Sequence, residues 1–182
     1  MKFYSLDVET ANWDSSTICQ IGIGMFDNGE VVGRWESLID PQSSFHWSNI
    51  RVHGITAEMV EDSPTFPKVY PVLRKLLSKN IVVHHTSFDV QAFGRAYARF
   101  NLNPIDIRWL DSARIVRKAW PQFSRSGYNL ANVARHLGIE FRHHDALEDS
   151  IAAGRIVVEA CRLTDRRVHD WVELFNAEKN RE

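Results

Sequence analysis

The chain has 182 residues, 44% hydrophobic and 25% charged, which is enough for one well-buried core and not clearly enough for two, and its ten Phe, six Trp and four Tyr argue against disorder. A net charge of −1 gives no global basicity that would announce a nucleic-acid partner, and no apolar run approaches the roughly 20 residues of a membrane span. The N-terminal MKFYSLDVET has no apolar stretch before a cleavage site, and Cys19 and Cys161 lack zinc or CxxC spacing, so the expectation is two buried thiols in a cytoplasmic protein.

Residues 2–8 read as a strand, with Phe3, Ser5, Asp7 and Glu9 on one side and Tyr4, Leu6 and Val8 on the other. Asp7 and Glu9 are two apart and so share a face. Two unpaired carboxylates on one face repel, and a divalent cation removes that cost. A solvent-facing strand end with two ordinary acids is the alternative. ICQIGIGMFD (18–27) and EVVGRWESLI (30–39) predict two more strands, joined at Asn28-Gly29, a tight hairpin signal. An antiparallel meander follows. Gly22-Ile23-Gly24 lies inside a strand and lacks a third glycine and a following helix, so it is not a phosphate loop. Residues 40–66, with Pro41, Gly54, Pro64 and several serines, predict a long connection with one short helix after Thr56. His53 reads there as a loop residue rather than a ligand.

The second half alternates. The pattern predicts a helix over 67–79, a strand over 81–84, a helix over 88–100, a short strand over 107–110 and a helix from Asp111 or Ser112 to Trp120, ended by Pro121. Asp89 opens a helix at the carboxyl end of a strand, where α/β sheets place ligands; a first-turn acid behind a Ser87 or Thr86 cap is the plain alternative. Either His84 or His85 packs or bonds backbone. Residues 91–125 carry Arg95, Arg99, Arg108, Arg114, Arg117, Lys118 and Arg125 against only Asp106 and Asp111, a local positive potential that suits a polyanion, or else ordinary solvated helix faces. Leu130, Val133, Ala134 and Leu137 predict a helix stopped by Gly138.

The last long helix is predicted over 146 to about 163, with Leu147, Ile151, Gly154, Val158 and Cys161 along one face, and an amphipathic segment covers about 166–178. Asp145 and Glu148 have capping-box spacing at its start. With Asp145 as N-cap, His144 and Asp149 fall at the two positions that meet across a helix start. An imidazole and a carboxylate there would deliver a titratable group and a metal ligand to one spot. A surface His–Asp pair is the alternative. The expected organisation is one α/β domain over 1–182 with a mixed sheet, its motif-bearing part ending at about 164.

DVET, HHTSFD, and YNLANVARHLGI followed by HHDALEDS together resemble the three motifs of the DEDDh exonucleases, the family of the proofreading epsilon subunit of bacterial DNA polymerase III. VHGIT matches a further stretch of that family. The resemblance spans about residues 3–160. It implies a ribonuclease-H-like fold, a mixed five-stranded sheet flanked by helices. It implies Asp7, Glu9, Asp89 and Asp149 as ligands of two Mg²⁺ ions, for which Mn²⁺ substitutes, with Asp7 bridging and His144 deprotonating the attacking water. Thr10, Phe88 and His53 are the implied substrate contacts. His85 stands where the second motif often has Asn, which puts substrate seating in doubt but no ligand.

The expected activity is 3′-5′ hydrolysis of single-stranded DNA or RNA ends to 5′-mononucleotides, with a DNA polymerase subunit as a candidate partner and no membrane. The rivals are an exoribonuclease or oligoribonuclease, a binding module with a degenerate site, and a scaffold whose acids serve only capping and solubility.

Overall fold

Apolar alternation builds the first half of the sheet. The computed structural model describes residues 1–181; residue 182, the last of the expected single domain, lies outside them. β1 (Lys2–Thr10), β2 (Ile18–Asp27) and β3 (Glu30–Leu38) form the antiparallel meander, turning at Asn28 (φ 50°) and Gly29 (φ 87°). β4 (Ile81–His84) and β5 (Arg108–Asp111) then add in parallel, giving the order β3-β2-β1-β4-β5. This is the expected α/β architecture, a five-stranded mixed sheet flanked by helices.

The helices are α1 (Trp47–His53), α2 (Ala57–Val60), α3 (Phe66–Leu77), α4 (Phe88–Arg99), α5 (Ser112–Ala119), α6 (Leu130–Leu137), α7 (Ala146–Thr164) and α8 (Val168–Lys179). The two faces of β1 feed two cores. Leu6 and Val8 pack with Val82 against α3 and α4 through Leu73, Leu77 and Phe93. Phe3 packs with Phe26 and Val83 against α5–α8 through Ile115, Ile151, Val157 and Trp171. Asp7 and Glu9 lie on the Phe3 side of the alternation, beneath α7. Among the described residues no helix is long and apolar enough to cross a membrane.

α7 seats where two glycines make room. A Cβ on Gly22 would stand 2.2 Å from the Leu147 nitrogen and 2.3 Å from the Ala146 carbonyl carbon. A Cβ on Gly154 would stand 2.3 Å from the Phe26 ring. The first contact is backbone on backbone. It lets the start of α7 lie on β2 at the residue that pairs with Asp7. Gln20 fixes the same junction, its Oε1 accepting from the Ala146 N–H at 3.2 Å.

Two expectations need correction. Residues 40–66 hold two short helices, not one: α1 was hidden because it buries no residue and is capped by the His46 ring rather than by a hydroxyl or carboxamide. Asp145 does cap α7, accepting from Leu147 and Glu148 N–H at 3.2 Å each, but no capping box closes. The Glu148 carboxylate faces Arg34 at 4.0 Å instead.

Candidate metal centre

Three elements bring the four singled-out carboxylates together. β1 supplies Asp7 and Glu9, α4 supplies Asp89, and the first turn of α7 supplies Asp149. One oxygen each of Asp7, Glu9 and Asp149 lie within 4.8 Å of one another. Asp89 (2% exposed) and Asp149 (4%) are buried, while Asp7 and Glu9 are half-buried. Asp89 is no ordinary first-turn acid. Its Oδ1 crosses to β1 and accepts the Val8 N–H at 3.1 Å, and the Ser87 side chain makes no cap.

Electrostatics make this cluster costly as it stands. Burial, then the Asp89, Asp149 and Glu9 charges, push the Asp7 carboxyl well above the carboxylate range. Burial, then Asp149 and Asp89, push Glu9 up to about 8. Burial pushes Asp89 up to about 8 even though the Val8 N–H opposes it. Burial also raises Asp149, against the bonds from His143. Four carboxyls that cannot all ionise together form an all-oxygen donor set of the kind that hard divalent cations take. The residues present therefore fit such an ion.

The histidines are arranged differently from the spacing argument. His143, not His144, contacts Asp149 through its ring, with Nδ1 2.9 Å from Oδ1. His144 presents its backbone N–H to Asp149 Oδ2 at 3.0 Å, and its ring stacks on His143 at 3.9 Å between centroids. The cause is the His144 backbone, which is left-handed (φ 66°) and turns the side chain away from the helix start. Burial, then the neighbouring His143, lower the proton affinity of the His144 ring, with Asp149 opposing. That ring opens on a groove of about 590 Å³ that also contains Gln20, His53 and Met59. His143 had no signal of its own in the sequence beyond adjacency to His144.

The expected substrate contacts border the same site. The Thr10 carbonyl accepts from Asn49 Nδ2 at 2.9 Å and bonds His53 Nε2 at 3.1 Å. His53 Nδ1 accepts from the Ile55 N–H at 3.0 Å, so its proton sits on Nε2. His53 ends α1 rather than lying in a loop. Phe88 is 45% exposed at the start of α4, next to Asp89.

His84 and His85 are both structural. His84 bonds the Thr86 carbonyl and packs on Trp109. His85 Nε2 lies 2.9 Å from the Tyr128 carbonyl and Nδ1 lies 2.8 Å from the Ser112 hydroxyl, tying β4 to α5 and to the segment before α6.

Five of the seven basic residues of 91–125 are engaged elsewhere. Arg114 and Lys118 pair with Glu178 at 3.1 and 2.7 Å, and Arg117 lies over the Tyr128 ring. Arg108 lines a cleft with Met1 and Arg167, and β5 begins there, at the amino ends of the parallel strands. Arg99 turns toward residue 42, donating to the Gln42 carbonyl at 2.9 Å.

Known proteins resemble this chain in sequence and in fold. A family model for exonucleases, the RNase T exonuclease family, matches residues 5–157. The PolC-type DNA polymerase III of Oceanobacillus iheyensis is 27% identical over 179 residues, covering 96% of this chain and 12% of that protein. The chain thus spans about 12% of the length of that relative. A solved structure of Exonuclease X in complex with 5′ overhanging duplex DNA superposes with a TM-score of 0.77 at 18% identity, covering 94% of this chain and 98% of the other. The nuclease domain of 3′hExo, a DEDDh family member bound to rAMP, superposes with a TM-score of 0.71 at 20% identity, covering 88% and 92%.

Proposed function

This chain belongs to the RNase T exonuclease family, with the ribonuclease-H-like fold of its relatives, and on that premise we propose that it is a metal-dependent 3′-5′ exonuclease of single-stranded ends. The observation that carries the proposal is the convergence of Asp7, Glu9, Asp89 and Asp149 from three elements into one cluster whose carboxyls resist ionising together. Two Mg²⁺ ions, replaceable by Mn²⁺, are the proposed cofactors, and Asp7, Glu9, Asp89 and Asp149 would be the residues that hold them.

Bound there, such ions would supply Lewis-acid stabilisation of the attacking and leaving oxygens of an in-line displacement. The chain's own residues do the rest. His144 takes the proton of the attacking water: its imidazole is kept neutral at pH 7 by the lowered proton affinity, and its ring is not held by a carboxylate. His143 holds Asp149 in place through Nδ1. Thr10, fixed by Asn49 and His53, and the exposed Phe88 seat the terminal nucleotide. The product is a 5′-mononucleotide. A polymerase partner is proposed only on the strength of the PolC-type relative.

The test is release of mononucleotides from a 3′-labelled single strand, with DNA and RNA run side by side in Mg²⁺ and in EDTA. Release that needs Mg²⁺ and disappears in Asp7→Ala is expected. Release untouched by Asp7→Ala would sink the proposal. With His144 as base, the rate rises with pH as the ring loses its proton, through a midpoint lower than the ordinary histidine value. Full activity of His144→Ala at pH 7 would remove that residue from the role; a loss of about 10²–10⁴ is expected.

A further inference from the structure

At the end of the sheet remote from the carboxylates, a cleft of about 660 Å³ opens between the strands and the start of α8. Lys2, Ile81 and Arg108 line it from three neighbouring strands, and Arg167, Val168 and Glu173 line it from the α8 side. Lys2 and Glu9 stand seven positions apart on β1, so roughly 23 Å of strand separates this cleft from the metal centre. It is larger than the groove of about 590 Å³ beside the His144 ring. Pockets that take small molecules span roughly 300–1,000 Å³.

On the α8 side the charges cancel. Arg167 pairs with Asp170 at 3.1 Å, and His169 lies 3.1 Å from Glu173. On the sheet side they do not. Lys2 and Arg108 are both exposed, and neither joins an ion pair among the described residues. β1 and β5 flank β4, which sets the two backbones roughly 10 Å apart. Between them Ile81, the register partner of Arg108, is 6% exposed, and Val168 is 1% exposed, so the floor is apolar. Two uncompensated cations beside an apolar floor suit one phosphate group and the body attached to it. Glu173 sets the limit. A run of negative charges would bring like charge against its carboxylate, whereas a single phosphate at the Lys2 and Arg108 end leaves that carboxylate to accept from hydroxyls.

We propose that this cleft binds a small phosphate monoester of nucleotide size, its phosphate between Lys2 and Arg108 and its body over Ile81 and Val168, with Glu173 accepting from its hydroxyls. The site is separate from the metal centre and does not depend on the nuclease reading. A ligand there ties β1 and β5 to the start of α8, so it raises the melting temperature without touching the carboxylates. An acidic peptide is the competing occupant, and the experiment excludes one or the other.

The experiment is calorimetric titration in EDTA with AMP as the probe, and with inorganic phosphate and adenosine as its two halves, on wild type, Lys2→Ala, Arg108→Ala, the double variant and Asp7→Ala. EDTA keeps divalent ions out of the carboxylate cluster, which then repels phosphate. Wild type takes up one AMP per chain and holds neither half as tightly. Each alanine at Lys2 or Arg108 weakens AMP about tenfold, and the double variant loses it. Asp7→Ala, at the far end of the sheet, binds AMP as wild type does. Added salt weakens the binding. Melting the same samples gives a second readout: AMP raises the wild-type Tm and leaves that of the double variant unmoved. No uptake of AMP by wild type overturns the site, as does equal uptake by the folded double variant. Uptake lost in Asp7→Ala but kept in the double variant puts the ligand at the metal centre and also overturns it. Tighter binding of an octaglutamate peptide than of AMP assigns the cleft to an acidic partner and overturns the small-molecule site.

Discussion

Two groups of side chains, Asp7–Glu9–Asp149 and His169–Asp170–Glu173, are among those that bring three donor atoms within 4.8 Å of one another. By distance alone they are equals. The second lies at the exposed start of α8, where every member is satisfied. Asp170 accepts from the Arg167 N–H at 2.8 Å, which lowers its proton affinity, and His169 lies 3.1 Å from Glu173. The first lies between a strand and a helix start, and all of its carboxyls are raised. Proximity of acids is common. Proximity left uncompensated is what marks a site.

The comparison can be broken most directly by activity. Removing one of two equivalent-looking acids should give unequal results: Asp149→Ala loses about 10³-fold in nucleotide release, as expected when several kcal/mol of transition-state stabilisation go, and Asp170→Ala changes it less than about twofold. Comparable losses in the two variants would show that the uncompensated charge identifies nothing.

A geometric lesion should come next. Any side chain at Gly22 meets the Ala146–Leu147 backbone and must lift the start of α7 from β2, carrying Asp149 away from Asp7. Gly22→Val is expected to lose about 10²-fold in activity, with a stability loss of about 1–3 kcal/mol in thermal melting. Gly94, inside α4 with nothing within 4 Å of an added Cβ, is the matched control. Gly94→Ala should gain up to about 1 kcal/mol and keep its activity. A Gly22→Val protein with wild-type rates would detach the glycine from the site.

The smallest effect sharpens the electrostatic side. A carboxyl whose folded-state pKa is raised holds its proton longer when folded, so its contribution to stability is complete below the ordinary carboxylate range and is lost as pH rises toward about 8. His53, His84, His85 and His144, all lowered mainly by burial, pull the other way below neutrality, so the difference between wild type and Glu9→Gln is the useful quantity. In EDTA the two should melt together near pH 4, and Glu9→Gln should melt roughly 5 °C higher at pH 8.5. Added Mg²⁺ should raise the wild type more than the variant. Equal melting at pH 8.5 would mean that Glu9 ionises freely and that the cluster is not strained.

Much of this contrast was legible in the sequence, and the part that was not has a physical cause. The strands were visible because alternation and an Asn-Gly turn are local signals, and IVVH matched β4 residue for residue. The shared face of Asp7 and Glu9 followed from strand alternation and the place of Asp149 from a helix start, but their meeting was expected only from the resemblance. Asp89 was legible mostly through the resemblance, with its place at a strand's carboxyl end as the one local signal, because its defining bond reaches the Val8 N–H, 81 residues away. The partner of Asp149 was misread because helix-start geometry assumes an ordinary backbone before the cap, and His144 does not have one.

The contact beneath α7 also decides which mistakes in this chain are repairable. At Gly154 an added methyl group meets the ring of Phe26, and a smaller residue at position 26 restores the room. At Gly22 it meets main chain, which every substitution leaves in place. A selection for revertants of Gly154→Ala should therefore return second-site changes at Phe26, whereas a selection on Gly22→Val should return little except small residues at position 22 itself.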